Sequence, residues 1–526
     1  MPIKPEIAKT HNLPIKLPVL VEDLPLITEI DKIPLEVIIR GLEAQYEIEK
    51  NDYWGSYLAY FYYEAFKKHL NKNQLEKAKE YLEKAKNTMY DYRYHFYLGL
   101  LFSKLSDYDN AEIELKRAIS LNPNFYLGYY ELGNILYLKK DYDEAIEMYM
   151  KSLELNKEFS LPLLKIGDVY FENNQLKDAE LAYKAALKIE KLPEVYLRLG
   201  VLYNTRYQFE NAEKVFKEAL SIEYKPEIAY NLSYTLTRLG KHLQALQLLK
   251  ELVNNYPSSE VYNELGLLQK NLGFYEEAKE NLKLAGDEYR ENYLKVQLFI
   301  EGIKEEILKE LKEYDPEYTE FLKNVLRNKD NIEKKLEECD FPFSELEIIF
   351  DLTDENGEIL LDKFMETLKI KNIGEKKNEF YKFIPFIISG MYIAGADPIL
   401  IEKNAIKISI TLFGDGEGVV LAKTLTTFYL SILFTNDPIE FIIEKTLEII
   451  SEFHYPISKK IADLLENEKT SLDDFIDNFK EPENILDFLL QLFEFFSYSP
   501  HIEDTKHLPN TTFRKTAEFF TKHLNF

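Results

Sequence analysis

The sequence predicts an all-α fold: a stack of paired helices followed by a second all-helical unit. Three observations predict it. Seven alanines, Ala78, Ala111, Ala145, Ala179, Ala212, Ala245 and Ala278, stand 33, 34, 34, 33, 33 and 33 residues apart. Apolar residues between them recur at helical spacing. No later segment sustains the alternation of a half-buried strand. A fixed period of this length belongs to repeat architectures, in which each unit leaves an apolar face that only its neighbour can cover.

The elements follow in order. Residues 1 to about 33 are apolar and punctuated by proline, as in Leu13-Pro14-Ile15-Lys16-Leu17-Pro18. Proline fixes φ and removes a donor, so this stretch is expected to be extended and to lie against the folded body. Pro2, Pro5, Pro14, Pro18 and Pro25 interrupt every run that could serve as the apolar core of a signal peptide. A helix is expected from Pro34 to about Lys50, with Asp31 or Lys32 near its cap. Residues 1–52 thus form a leading segment with a capping helix.

Residues 53–286 read as seven helical hairpins. In Asn122 to Asn156, Tyr129, Leu132, Gly133 and Leu136 mark one helix and Asp141-Tyr142-Asp143 breaks it; Ala145, Tyr149 and Ser152 line the next. Leu98-Gly99, Leu132-Gly133, Ile166-Gly167, Leu199-Gly200, Leu232-Ser233 and Leu265-Gly266 recur in register. Leu115, Tyr149, Tyr183, Phe216, Leu249 and Leu282 recur behind them, followed by Ala118, Ser152, Ala186, Ala219 and Ala285, with Leu252 the exception. Two helices approach to about 8–10 Å only where one offers a small side chain, which explains the glycines and alanines. This pattern resembles the tetratricopeptide repeat, a unit of about 34 residues. The first copy is irregular, with Phe66 where glycine is expected, as suits an end repeat. The resemblance implies a superhelix whose concave face is lined by the first helix of each pair.

The period fails near residue 287. Asp287 to Tyr314 reads as one long helix, and Pro316 opens another that ends near Cys339. Amphipathic segments follow, split by Pro342, Gly357, Pro385, Pro398, Gly414 to Gly418, Pro438, Pro456, Pro482 and Pro500. Residues 287–526 are read as a helical C-terminal domain of no recognised family.

Composition narrows the function. The formal net charge is -26 over 526 residues, with no long Lys/Arg run, which argues against nucleic acid as a partner. A single cysteine, Cys339, excludes an internal disulfide and suits a reducing cytoplasm. Phe383–Ala396 and Val419–Phe434 are the most apolar stretches. The first is shorter than the roughly 20 residues a span needs and contains Pro385; the second carries Lys423. Both read as buried core helices.

No constellation announces catalysis, and no cofactor or metal is expected. Gly414 to Gly418 lacks the Lys-Ser/Thr ending of a phosphate-binding loop, and Asp415 and Glu417 would repel phosphate, so it reads as an interhelical turn. With Gly357 in the glycine place of a calcium loop, Leu352 and Lys363 would fall on ligand places, so Asp354 to Gly357 reads as a turn. His501, Glu503, Asp504 and His507 read as a surface loop, and Cys339 between acids as an unactivated thiol.

The candidate site is the groove stripe, places four and seven residues apart on the first helices. It holds Phe96, then Tyr130, Asn134 and Tyr137, then Asp168 and Phe171. Asn204, then Tyr230, Tyr234 and Thr237, then Asn263 and Lys270 follow. The stripe is aromatic and aliphatic and lacks the ordered Lys/Asn/Arg set with which one subgroup of the resembled family grips a terminal carboxylate. The resemblance therefore implies a non-enzymatic scaffold or adaptor that binds another protein or peptide segment there. Two other readings stand beside it. One is a repeat-fused enzyme with its catalytic part in 287–526; the other is a peripheral component of an envelope or appendage assembly, with no transmembrane segment of its own. The chain's own termini are a further candidate to fill the stripe.

Overall fold

A computed structural model describes residues 34–337, 353–354, 358–367, 397–434, 438–467 and 485–498. The expectations for residues 1–33, Cys339, Phe383–Ala396 and His501 to His507 fall outside them. The described residues form 22 α-helices and one three-residue 3₁₀ turn, with two isolated β-bridges and no strand. The packing divides the chain into two compact units, Met1–Val195 and Tyr196–Phe526. The period instead changes near residue 286, so contacts and repeat pattern mark different boundaries.

Helix α1 (Leu35–Ile48) opens the first unit and is capped by Pro34. Hairpins follow: α2 (Asp52–Asn71) with α3 (Leu75–Thr88), α4 (Tyr92–Lys104) with α5 (Tyr108–Leu121), α6 (Tyr126–Leu138) with α7 (Tyr142–Leu155), and α8 (Leu161–Glu172) with α9 (Leu176–Ile189). Ile39 and Leu42 of α1 join the α2–α3 core, and the Tyr62 hydroxyl donates to Glu43 at 2.7 Å. In this end hairpin Phe66 replaces the glycine; it is fully buried and meets the Tyr97 ring edge-on at 5.5 Å.

The array continues with α10 (Pro193–Thr205) and α11 (Phe209–Ile222), α12 (Pro226–Arg238) and α13 (His242–Asn255), and α14 (Ser259–Asn271) and α15 (Tyr275–Ala285). All seven periodic alanines are fully buried. Opposite them Gly99 and Gly266 bring Leu115 and Leu282 onto bare backbone, and Gly133, Gly167 and Gly200 bring a ring. A methyl group on Gly133 would stand 2.7 Å from the Tyr149 ring, on Gly167 2.4 Å from Tyr183, and on Gly200 2.3 Å from Phe216. Real side chains do not approach so closely.

A second periodic feature escaped the sequence reading. Five residues before each alanine the backbone turns left-handed: Asn73, Ser106, Lys140, Asn174, Tyr207, Gly240 and Gly273, with φ from 56° to 86°. Each ends a first helix in the same way, the next amide reaching back to a carbonyl in the last turn. Asp141 N donates to Leu136 O at 2.9 Å and Gln175 N to Tyr170 O at 2.8 Å. Only the last two positions carry the glycine that the geometry favours.

After the array come α16 (Arg290–Glu301), α17 (Glu305–Leu311), α18 (Pro316–Glu337), α19 (Leu361–Thr367), α20 (Pro398–Phe434), α21 (Ile439–Asn467) and α22 (Ile485–Tyr498). The single helix expected over Asp287 to Tyr314 is wrong. Gly302, at φ 76°, breaks it between α16 and α17, and Gly286, at φ 93°, closes α15. The Gly414–Gly418 segment is the expected turn, a kink in α20 where Gly414 has φ 83°. Asp354 N donates to Glu358 O at 2.8 Å, while residues 355–357 of the second expected turn lie outside the described residues. Val419 to Leu425 are buried, as expected of a core helix.

Within the second unit these helices return to the repeats. Asp415 accepts from Leu243 N at 3.0 Å, capping the start of α13. Helix α21 kinks at His454, which bridges to Leu239, while Arg238 donates to Ser451 O at 2.9 Å. Tyr455 stacks on Tyr207 at 5.0 Å. His242 is fully buried beside Phe453, and among the described residues neither ring nitrogen has a hydrogen-bond partner. Burial pushes its pKa down to about 4, against the pull of Asp415 and with the help of His454.

Three outcomes follow from this packing. Lys140→Gly should stabilise the protein by about 0.5–1 kcal/mol in urea denaturation, because glycine adopts the left-handed turn without strain; a loss of stability would refute the strain. Gly167→Ala should cost roughly 1–3 kcal/mol through the Tyr183 ring, and Gly167→Ala with Tyr183→Leu should recover part of it; a neutral Gly167→Ala would show that the ring has room. For His242 the folded pKa lies below the unfolded one, so the unfolded chain binds the extra proton. Stability is then complete above about pH 6.5 and drains as pH falls towards 4, by about 2–3 kcal/mol at pH 4.5. His242→Leu should remove that part of the acid sensitivity, and equal slopes for both proteins would rule it out.

Candidate functional site

In the first unit the stripe is partly core. Phe96 and Tyr130 are buried, each meeting the aromatic of the following turn edge-on: Phe96 on Phe125 at 4.9 Å and Tyr130 on Phe159 at 5.1 Å. Burial pushes the Tyr130 phenol up to about 12. The polar members hold hairpins together. The Tyr149 hydroxyl donates to Asn134 at 2.9 Å, and the Tyr183 hydroxyl donates to the buried Asp168 at 2.9 Å. Asn134 also donates to Glu131, whose carboxyl burial pushes above the usual range. Leu100, four residues after Phe96 on the same stripe, is half-buried, as are Tyr137 and Phe171, so solvent reaches the stripe mainly at these places.

In the second unit the stripe is engaged by the chain itself. Asn204 accepts from Thr235 at 3.1 Å, and the buried Asn263 accepts from Asn292 of α16 at 2.8 Å. Tyr230 is half-buried, and burial pushes its phenol up to about 12. Tyr234 keeps 41% exposure and lies under the Arg238 guanidinium at 5.0 Å. Tyr234, Thr237 and Lys270 line one wall of a cavity of about 520 Å³ whose other walls come from α16, α18, α20 and α21.

Charge gathers in this cavity. Lys270 lies over the Phe299 ring at 4.8 Å. Its ammonium is pushed down to about 8 by burial and by Lys423 and Lys295, against the pull of Glu402. Lys423 is bonded to Glu402. Burial would raise Glu402, but Lys423 and Lys270 hold its carboxyl below the usual range. Lys295 pairs with Glu291 and Asp315, each at 2.7 Å. At the far end burial pushes Glu264 up.

Of the twelve residues expected on the stripe, the fold therefore brings Tyr234, Thr237 and Lys270 together in one cavity and commits Phe96, Tyr130, Asn134, Asp168, Asn204 and Asn263 to packing or hydrogen bonds. Arg238, Lys295, Glu402 and Lys423 were missed. Lys270 and Lys423 are 153 positions apart, and nothing periodic links them. Among the described residues no group of three or more His, Cys, Asp or Glu could hold a metal ion.

Family profiles of the tetratricopeptide repeat match residues 92–125, 126–159, 164–225, 227–259 and 259–285. No curated protein matches the chain. Similar solved structures include yeast Tom70, 20% identical over 51% of this chain and 58% of that one, with a TM-score of 0.40. Pseudomonas aeruginosa pilF is 19% identical over 39% of this chain and 94% of its own, with a TM-score of 0.34. YrrB, described as a repeat protein with an unusual peptide-binding site, is 19% identical over 35% and 92%, with a TM-score of 0.28. Six hairpins in register over residues 92–285, with a small residue at each crossing and matching family profiles, identify this array as a member of the tetratricopeptide-repeat family.

Proposed function

We propose that this protein is a non-enzymatic scaffold that binds a segment of another protein on the first-helix stripe of its first unit. The observation that supports it most is internal. In the second unit the same kind of stripe meets helices of the chain itself, through Arg238 to Ser451 and Asn263 to Asn292. A face built this way holds a helical segment through apolar side chains and a few oriented polar bonds. In the first unit Leu100, Tyr137 and Phe171 are half-buried on the equivalent face, which suits an apolar or amphipathic segment. Among the described residues no helix is long and apolar enough to cross a membrane.

The test separates site from core. Tyr130→Glu should lower the thermal midpoint sharply, since it places a charge where a ring is buried. Phe171→Glu should leave the midpoint within a few degrees and abolish partner capture. A photo-crosslinking residue at Phe171 should trap a protein segment, and one at Leu181, 67% exposed on α9, should not. Equal crosslinking at both positions would refute the site.

A further inference from the structure

The 520 Å³ cavity in the second unit is separate from the stripe proposed for protein binding. Its Lys270 side chain is half-buried, and among the described residues it has a ring contact but no ion pair. The neighbouring cations are engaged: Lys423 with Glu402, Lys295 with Glu291 and Asp315, and Arg238 with Ser451 O. A half-buried amine beside the Lys423 and Lys295 ammonium groups, offset by the pull of Glu402 but by no direct ion pair among the described residues, is destabilising. The same arrangement is favourable once an anion enters, because Coulomb attraction strengthens as water is excluded. The walls beside it combine apolar and hydrogen-bonding groups, Phe453, Leu267 and Ile449 with Tyr318, Asn271 and Thr427. That mixture suits a small molecule better than a bare ion, and the volume falls within the range of small-ligand pockets, about 300–1,000 Å³.

We propose that this cavity is a binding site for a small oxyanion-bearing molecule, a carboxylate or a phosphate, whose charged group pairs with Lys270. The ligand would tie repeat helix α14 to α16, α18 and α20, so binding would stabilise the second unit as a whole. The Lys423–Glu402 pair stands beside it and restricts the site to ligands of low charge, since Glu402 repels a second anionic group placed near it.

Thermal unfolding of the full chain tests this with defined probes: inorganic phosphate, acetate, succinate and citrate, each against sodium chloride of equal ionic strength. One of them should raise the midpoint saturably by roughly 2–5 °C at concentrations well above its dissociation constant. A response to phosphate alone, or to carboxylates alone, distinguishes the two sources of the charge. Lys270→Met should abolish the shift while raising the midpoint of the ligand-free protein, because it removes a half-buried charge that has no direct ion pair among the described residues and faces two other ammonium groups. Lys270→Arg should keep a shift. The proposal is overturned if no probe exceeds the salt control, if the shift persists in Lys270→Met, or if Lys270→Met lowers the ligand-free midpoint or fails to fold.

Discussion

The closeness with which one helix of each hairpin approaches the other is the constraint on which the rest depends. Glycine inside a helix costs about 1 kcal/mol relative to alanine. Burying a large apolar side chain contributes about 1.5–3 kcal/mol. The second term wins only if the ring can lie on bare backbone, as Tyr183 does at Gly167 and Phe216 at Gly200. The buried alanines on the partner helices keep the same separation from the other side. Repetition of this one contact sets the spacing of the turns. The chain accepts a left-handed lysine at 140 and tyrosine at 207 because the hairpin closes there in any case.

Once that lattice is in place its surface is not uniform. In the first unit, tyrosines on second helices reach Asn134 and Asp168 on first helices, so polar groups that could have faced a ligand become struts within the hairpin. In the second unit, α20 and α21 bring kinks to the repeat turns. Asp415 caps α13 and His454 settles against Gly240, where any side chain would collide with the imidazole. The division between Val195 and Tyr196 follows from this. The later repeats share a core with the C-terminal helices, whereas the earlier ones complete their core with α1.

The two candidate surfaces differ in kind for the same reason. A stripe left half-buried on the first unit offers area and little directional bonding, which suits a chain segment. A partly open cavity lined by Lys270, Lys423, Glu402 and Lys295 offers charge between packed helices, which suits a small polar molecule. Both lie on the first-helix side of the repeats. Among the described residues, what separates them is whether helices of the same unit stand opposite.

The sequence by itself determined the repeat array, because each hairpin is a local unit whose contacts fall within about 34 residues and whose steric demands can be met by few residue types. The alanine period, the Leu-Gly pairs, the start of α1 near Pro34 and the start of α18 at Pro316 were legible as local signals. It also determined that the Gly414–Gly418 segment is a turn, since acids beside the glycines leave no place for phosphate. Only the tertiary structure decided which stripe residues are core, where Gly302 divides an apparently continuous helix, and that Lys270 and Lys423 share a cavity. Those outcomes depend on contacts between segments far apart in the chain. No spacing rule relates such positions, and a half-buried aromatic has the same pattern in sequence whether its ring faces solvent, a loop of the next repeat or a returning helix.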